Sequence, residues 1–180
     1  RIQQTGQLEK ILEGRTHIIW TGGEPLMPSN RESIITFLEY MRKKFGGNNI
    51  YNEVETNGTN IVEENFYDDY IHQVNCSPKL ANSGMEYSSR VNSLALQQIN
   101  KQQNSWFKFV VSDEEDVKEM NSDYIEKEGL YTSKVILMPS VDKLSELSER
   151  TRFVYEMAKK YGYRASTRGQ ILAWDKVTGV

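Results

Sequence analysis

Short strand-like runs alternate with helical patterns along almost the whole chain, and this alternation restricts the fold more than any other feature of the sequence. The runs are His17–Thr21, Ile50–Glu55, Gln73–Ser77, Trp106–Val111, Lys134–Met138 and, more loosely, Gln170–Trp174. Each is bounded by turn formers or followed by helical patterning. From Asn30 to Phe45 the apolar positions Ile34, Phe37, Leu38, Met41 and Phe45 fall at three- and four-residue steps, which makes one buried stripe. Ser29 with Glu32 reads as a capping box and Gly46–Gly47 as the stop. A second stripe, Val91, Leu94, Ala95 and Ile99, runs through Ser88 to Lys101. Asp113 can cap a short helix holding Val117 and Met120, and a last helix runs from Leu144 to Tyr161 and stops at Gly162. Strands alternating with helices imply parallel βα units, closed as a barrel or open as a twisted sheet.

No repeat, low-complexity tract or linker interrupts the pattern, so the 180 residues are expected to form one domain. The net charge of -3 gives no reason to expect a nucleic-acid partner. The apolar runs are far shorter than the ~20 residues of a membrane span, and the polar opening RIQQTGQLEKILEG is no signal peptide. One cysteine, Cys76, and two histidines, His17 and His72, exclude a disulfide framework and all but exclude a soft-metal site built from this chain alone. A reducing cytoplasm fits that usage. The chain opens without Met inside a helix-like stretch, so it is expected to be part of a longer protein.

The unusual residues gather at the C-terminal ends of the strand-like runs, the edge where parallel α/β folds build ligand sites. TGGEP follows HIIW, ETNGT follows IYNEV, SPK follows QVNC and MPS follows KVIL. In Thr21-Gly22-Gly23-Glu24-Pro25 the glycines permit positive φ and close approach of backbone to a ligand, and Glu24 could pair with an α-ammonium. A tight βα turn explains the same residues equally well. Turn chemistry accounts for Asn57-Gly58, but not for Glu55 at a strand end facing the same rim. Ser77-Pro78-Lys79 either ends a strand or supplies the cation for the carboxylate of the ligand whose ammonium Glu24 meets. Rim residues carry little packing, so neither Glu24 nor Lys79 is expected to matter for stability without ligand. Cys76, within a strand, reads as a small core residue. Lys108 points either into a polar interior or to solvent. Met138-Pro139 either brings backbone groups against a flat ring or ends a strand. The acidic run Asp113–Asp116 reads as a helix N-terminus and not as a metal site.

Taken together, TGGEP, ETNGT, SPK with the downstream Asn82-Ser83-Gly84-Met85, FKFVV and LMP, in this order, resemble the radical S-adenosylmethionine superfamily and, within it, the 7-carboxy-7-deazaguanine synthase family. The resemblance runs from about His17 to Val180. It implies an α/β fold, a partial parallel (β/α) barrel of the radical S-adenosylmethionine type, lacking its first βα units. It further implies that Gly22, Gly23, Glu24 and Pro25 cradle the methionine amino group. Glu55, Asn57, Ser77, Pro78, Lys79, Met138 and Pro139 are the remaining expected cofactor contacts. Thr21, Gln170 and the terminal carboxylate of Val180 are expected to touch the substrate, a carboxylated tetrahydropterin. Trp174, read as the end of a last strand, would bring Asp175–Val180 across the mouth.

The implied reaction is radical ring contraction to 7-carboxy-7-deazaguanine, a step toward queuosine-type bases, with S-adenosylmethionine, a 4Fe-4S cluster and Mg²⁺ as cofactors. A flavodoxin-type reductant and a homodimer are the implied protein partners. Two departures stand out. The cluster motif of three cysteines and the adjacent Mg²⁺ ligand are absent, so the 180 residues alone are expected to be inactive. Gln170 stands where the family usually has histidine. The alternatives are another small radical enzyme, such as the activase of an anaerobic reductase, and a cluster-less small-molecule binding module.

Overall fold

The computed structural model describes residues 4–47 and 49–177. Six strands, β1 (Ile18–Trp20), β2 (Asn52–Thr56), β3 (Gln73–Cys76), β4 (Ser105–Val111), β5 (Val135–Pro139) and β6 (Arg164–Ala165), form one sheet in the order of the sequence, and every neighbouring pair is parallel. Helices α1 (Gln7–Leu12), α2 (Pro28–Phe45), α3 (Phe66–Tyr70), α4 (Tyr87–Arg90), α5 (Ser93–Lys101), α6 (Glu114–Met120), α7 (Leu144–Tyr161) and α8 (Gly169–Trp174) fill the connections. Strand order that never reverses is the winding of a barrel, here left open with β1 and β6 at its edges.

Alternation along β4 shows how the two faces are used. Ser105, Phe107, Phe109 and Val111 are buried, while Trp106, Lys108 and Val110 are half-exposed. The buried face packs Val54, Val74, Phe107, Phe109, Val135 and Leu137 against Leu96 and Ile99 of α5, Val117 and Met120 of α6, and Val154 and Ala158 of α7. Each such side chain contributes roughly 1.5–3 kcal/mol of burial. A second cluster of Ile11, Ile34, Leu38, Met41 and Ile50 seats α1 and α2. The other face mixes apolar residues such as Trp106 and Val110 with polar ones. Glu53 accepts hydrogen bonds there from Gln73 Nε2 at 3.1 Å and Asn75 Nδ2 at 3.0 Å.

Three sequence expectations are corrected. Gln170–Trp174 lies within a helix, α8, and not a strand; the sixth strand is Arg164–Ala165, which takes the edge of β5. A five-residue run with four apolar positions fits either state by periodicity, and only the available sheet edge decides. Ser29 does not cap α2: Pro28 opens the helix with its preset φ, so the cap position falls on Met27, whose side chain makes no capping bond. The helix expected from Ser88 to Lys101 breaks at Val91 and Asn92, because the Asn92 side chain accepts from Ala95 N at 3.3 Å and starts α5 afresh. Asp113 does cap α6, accepting from Asp116 N at 3.1 Å. No helix among the described residues is long and apolar enough to cross a membrane.

Candidate functional site

The end of β2, the strands β4 and β5, and the segments after β1, β2, β3 and β6 meet around a cavity of about 540 Å³, within the usual ~300–1,000 Å³ of small-molecule sites. Gly23 and Glu24 enter from beyond β1, Glu55, Thr56 and Asn57 from the end of β2 and beyond it, Ser77 and Lys79 from beyond β3. Lys108 and Val110 of β4 and Met138 of β5 form its floor, and Thr167 to Ile171 close it opposite.

The loop after β1 is shaped by Gly22 (φ 85°) and Gly23 (φ 58°), left-handed conformations that side chains rarely adopt. No atom lies within 4 Å of where a Cβ would stand on either, so the backbone is bare on that side. The two glycines turn Glu24 back across the strand ends. Its Oε1 accepts from Leu26 N at 3.0 Å and from Thr56 Oγ1 at 2.7 Å, and its Oε2 accepts from Asn57 N at 2.8 Å. Glu24 is therefore a strut between the two motif loops, which corrects the expectation that it does not matter for stability. A carboxylate has about four acceptor positions, so one remains for a ligand.

Gly58 follows with φ 79°. A Cβ there would sit 2.6 Å from Cys76 Sγ and 3.1 Å from Leu96 Cδ2, so the second loop can press onto the core only with glycine. Buried Arg31 of α2 braces both loops from behind: Nη1 donates to Leu26 O at 2.6 Å and Ile61 O at 3.0 Å, and Nη2 to Glu63 Oε1 at 2.7 Å.

Glu55 is exposed at the rim, and its Oε2 accepts from the Thr21 hydroxyl at 3.1 Å. Lys79 and Lys108 line the cavity, and neither side chain has a hydrogen bond or ion pair among the described residues. Arg168 donates from Nε to Pro139 O at 3.2 Å. Among the described residues the walls thus carry three cations, two of them free, against two carboxylates of which one is largely engaged.

Of the expected site residues, Gly23, Glu24, Glu55, Asn57, Ser77, Lys79, Met138 and Gln170 line the cavity. Pro25, Pro78 and Pro139 are buried and do not line it; Gly22 and Thr21 lie on the exposed rim beside Gly23. Val180 lies outside the described residues. Trp174 belongs to α8 and not to a last strand, and is half exposed.

Sequence reasoning left out Asn75, Arg168 and the turn of α8. Asn75 was within reach, because alternation puts it on the face of Ser77. Arg168 was hidden by reading the following residues as a strand. Lys108 points into the cavity, which settles the choice left open by its sequence context.

Cys76 is fully buried, and burial together with the nearby Glu24 charge pushes its thiol far above the usual range. An iron–sulfur cluster needs several thiolates, so the residues of this chain do not fit a cluster. Among the described residues no group of three or more His, Cys, Asp or Glu could hold a metal ion. The cavity offers the unpaired Lys79 and Lys108 to an anionic group and one open acceptor position of Glu24 to a donor.

No family model matches the chain. It is similar to the 7-carboxy-7-deazaguanine synthase of Pyrobaculum aerophilum, with 30% identity over 171 residues that cover 91% of this chain and 67% of that protein. It is similar also to the 7-carboxy-7-deazaguanine synthase of Halobacterium salinarum, with 26% identity over 183 residues covering 91% and 66%. The chain spans about two thirds of the length of these relatives. The crystal structure of QueE from Escherichia coli shares the fold, with a TM-score of 0.51 and 22% identity over 84% of this chain and 56% of that one.

Proposed function

The chain belongs to the 7-carboxy-7-deazaguanine synthase family, and from that premise we propose that the protein carries out the family's radical conversion of a carboxylated tetrahydropterin to 7-carboxy-7-deazaguanine. The observation that carries this reading is the cavity at the C-terminal edge of a parallel sheet, where TGGEP, ETNGT and SPK, far apart in sequence, come together with free cations.

Within it, Lys79 takes the carboxylate of S-adenosylmethionine. The bare backbone of Gly22 and Gly23 and the remaining acceptor position of Glu24 take its ammonium. Glu55, Asn57, Ser77 and the strand end at Met138 complete the cofactor's surroundings. Thr21, Gln170 and Val180 belong to the substrate side, and Lys108 with Arg168 makes that wall positive toward a carboxylated substrate. When bound, the cofactor and its reduced cluster supply the radical that starts the ring contraction. The chain's own residues orient the two molecules and exclude water. The cluster's thiolates come from outside these 180 residues, which act as one domain of the radical enzyme. A flavodoxin-type protein supplies the electron, a homodimer is the assembly, and the cytoplasm is the compartment.

The test is an anaerobic assay of the full-length protein, loaded with iron and sulfide, given S-adenosylmethionine, Mg²⁺, reductant and the carboxylated tetrahydropterin. Formation of 7-carboxy-7-deazaguanine is expected. A fully loaded protein that binds the cofactor and leaves the pterin unchanged overturns the reading.

A further inference from the structure

Behind the SPK segment lies a charged network whose own side chains do not line the cavity. Arg90, at the end of α4, is 5% exposed. Its Nη2 pairs with Glu119 Oε1 at 2.6 Å and stands 3.5 Å from Asp123 Oδ2. Its Nη1 donates to the backbone carbonyl of Lys79 at 3.1 Å and lies 3.4 Å from the Tyr124 hydroxyl. That hydroxyl donates to the same carbonyl at 2.6 Å. Glu119 also accepts from Ala81 N, at 2.9 Å through Oε1. Tyr124 is fully buried, edge-on to Phe109 of β4 with ring centroids 5.0 Å apart. It sits in a stretch of π-helix, Asn121–Glu126, that continues α6. Such wide turns inside α-helices recur at functional sites.

Stability alone is a poor reason for this arrangement. Burying a guanidinium with its carboxylates costs desolvation that an apolar cluster of the same volume avoids. What the network does accomplish is geometric. The Lys79 side chain stands on the cavity rim without a partner among the described residues, while its carbonyl points the opposite way and receives two donors. A peptide held on both sides of its carbonyl has its Cα–Cβ direction set as well.

We infer that Arg90 and Tyr124 are positioning residues for cofactor binding, holding the Lys79 peptide so that its ammonium meets the carboxylate of S-adenosylmethionine. The inference rests on the reading of Lys79 given under Proposed function. Neither residue touches the cofactor.

A double-mutant cycle tests it in the full-length, cluster-loaded protein by titration calorimetry with S-adenosylmethionine. Tyr124→Phe removes one hydroxyl and keeps the ring. It is expected to raise the Kd about 3- to 10-fold, the range for loss of one hydrogen bond. In a Lys79→Met background the same change is expected to add nothing. S-methyl-5′-thioadenosine, which lacks the amino-acid head, is expected to bind wild type and Tyr124→Phe alike. Equal loss in both backgrounds, or equal loss for the headless nucleoside, means a merely structural role and overturns the inference. An unchanged Kd in Tyr124→Phe with a weakened Lys79→Met overturns it too, while leaving the role of Lys79 standing. An unchanged Kd in Lys79→Met removes the reading beneath it. Should Tyr124→Phe fail to fold, Arg90→Lys, which keeps the charge facing Glu119, is read through the same cycle.

Discussion

The carboxylate of Glu24 and the hydroxyl of Thr56 are joined by a hydrogen bond of 2.7 Å that ties the loop after the first strand to the end of the second. With the bonds from Leu26 N and Asn57 N, it makes Glu24 the link between the two motifs that form one side of the cavity.

Glu24→Gln should therefore lower stability as well as cofactor affinity. The amide keeps one acceptor oxygen and turns a donor toward groups that are themselves donors. A cost of about 1–3 kcal/mol follows, or a fall in Tm of about 2–12 °C in a chain this long. Thermal melts without ligand measure it; an unchanged midpoint would show the three bonds to be incidental.

Lys79→Met should behave oppositely. The side chain is exposed and unpartnered among the described residues, so its loss leaves the ligand-free midpoint in place. Affinity for S-adenosylmethionine should fall by about 1.5–3 kcal/mol, the range for a charge-assisted hydrogen bond. Calorimetry on the full-length protein separates the two effects, and unaltered affinity would reduce SPK to the end of a strand.

Gly58 and Cys76 form a contact that tolerates no added atom. Gly58→Ala places a methyl group 2.6 Å from Sγ at a positive φ, and should destabilise by roughly 1–3 kcal/mol or more. Cys76 itself should resist iodoacetamide in the native protein and react once unfolded, because burial keeps the thiol protonated. Rapid native alkylation would mean that this loop opens freely.

Stability should also depend on pH through His72. Partial burial, with help from Arg42 and His17, holds its pKa below the usual ~6.5. Its Nδ1 accepts from Asn52 N at 3.2 Å, which it can do only while unprotonated. The unfolded chain therefore binds the proton first as pH falls. Stability is full above about pH 6.5 and declines as pH drops toward the lower folded value. Denaturant midpoints between about pH 7 and 5 should show that decline, and His72→Gln should flatten it. An identical slope in the variant would assign the dependence to other groups.

Much of this protein is written locally. Alternation along β4, the three- and four-residue steps of α2 and α7, and the Asp113 cap are properties of residues within four positions of one another, and the sequence alone establishes them. The placing of the motifs at strand ends is equally local, and residues from three of them, TGGEP, ETNGT and SPK, line the cavity. Tertiary structure decided the rest. Residues Gln170 to Trp174 suit a strand or a helix, and they became helix because Arg164–Ala165 had already taken the edge of the sheet. Glu24 looked like a free ligand group because its partners Thr56 and Asn57 are 32 and 33 residues away. Arg90 carries no signal of its role in the sequence, because the carbonyl it holds faces it only after β3 and α4 have packed. Hydrogen bonds across such distances leave no periodic trace in the sequence, since they depend on where strands register and not on spacing along the chain.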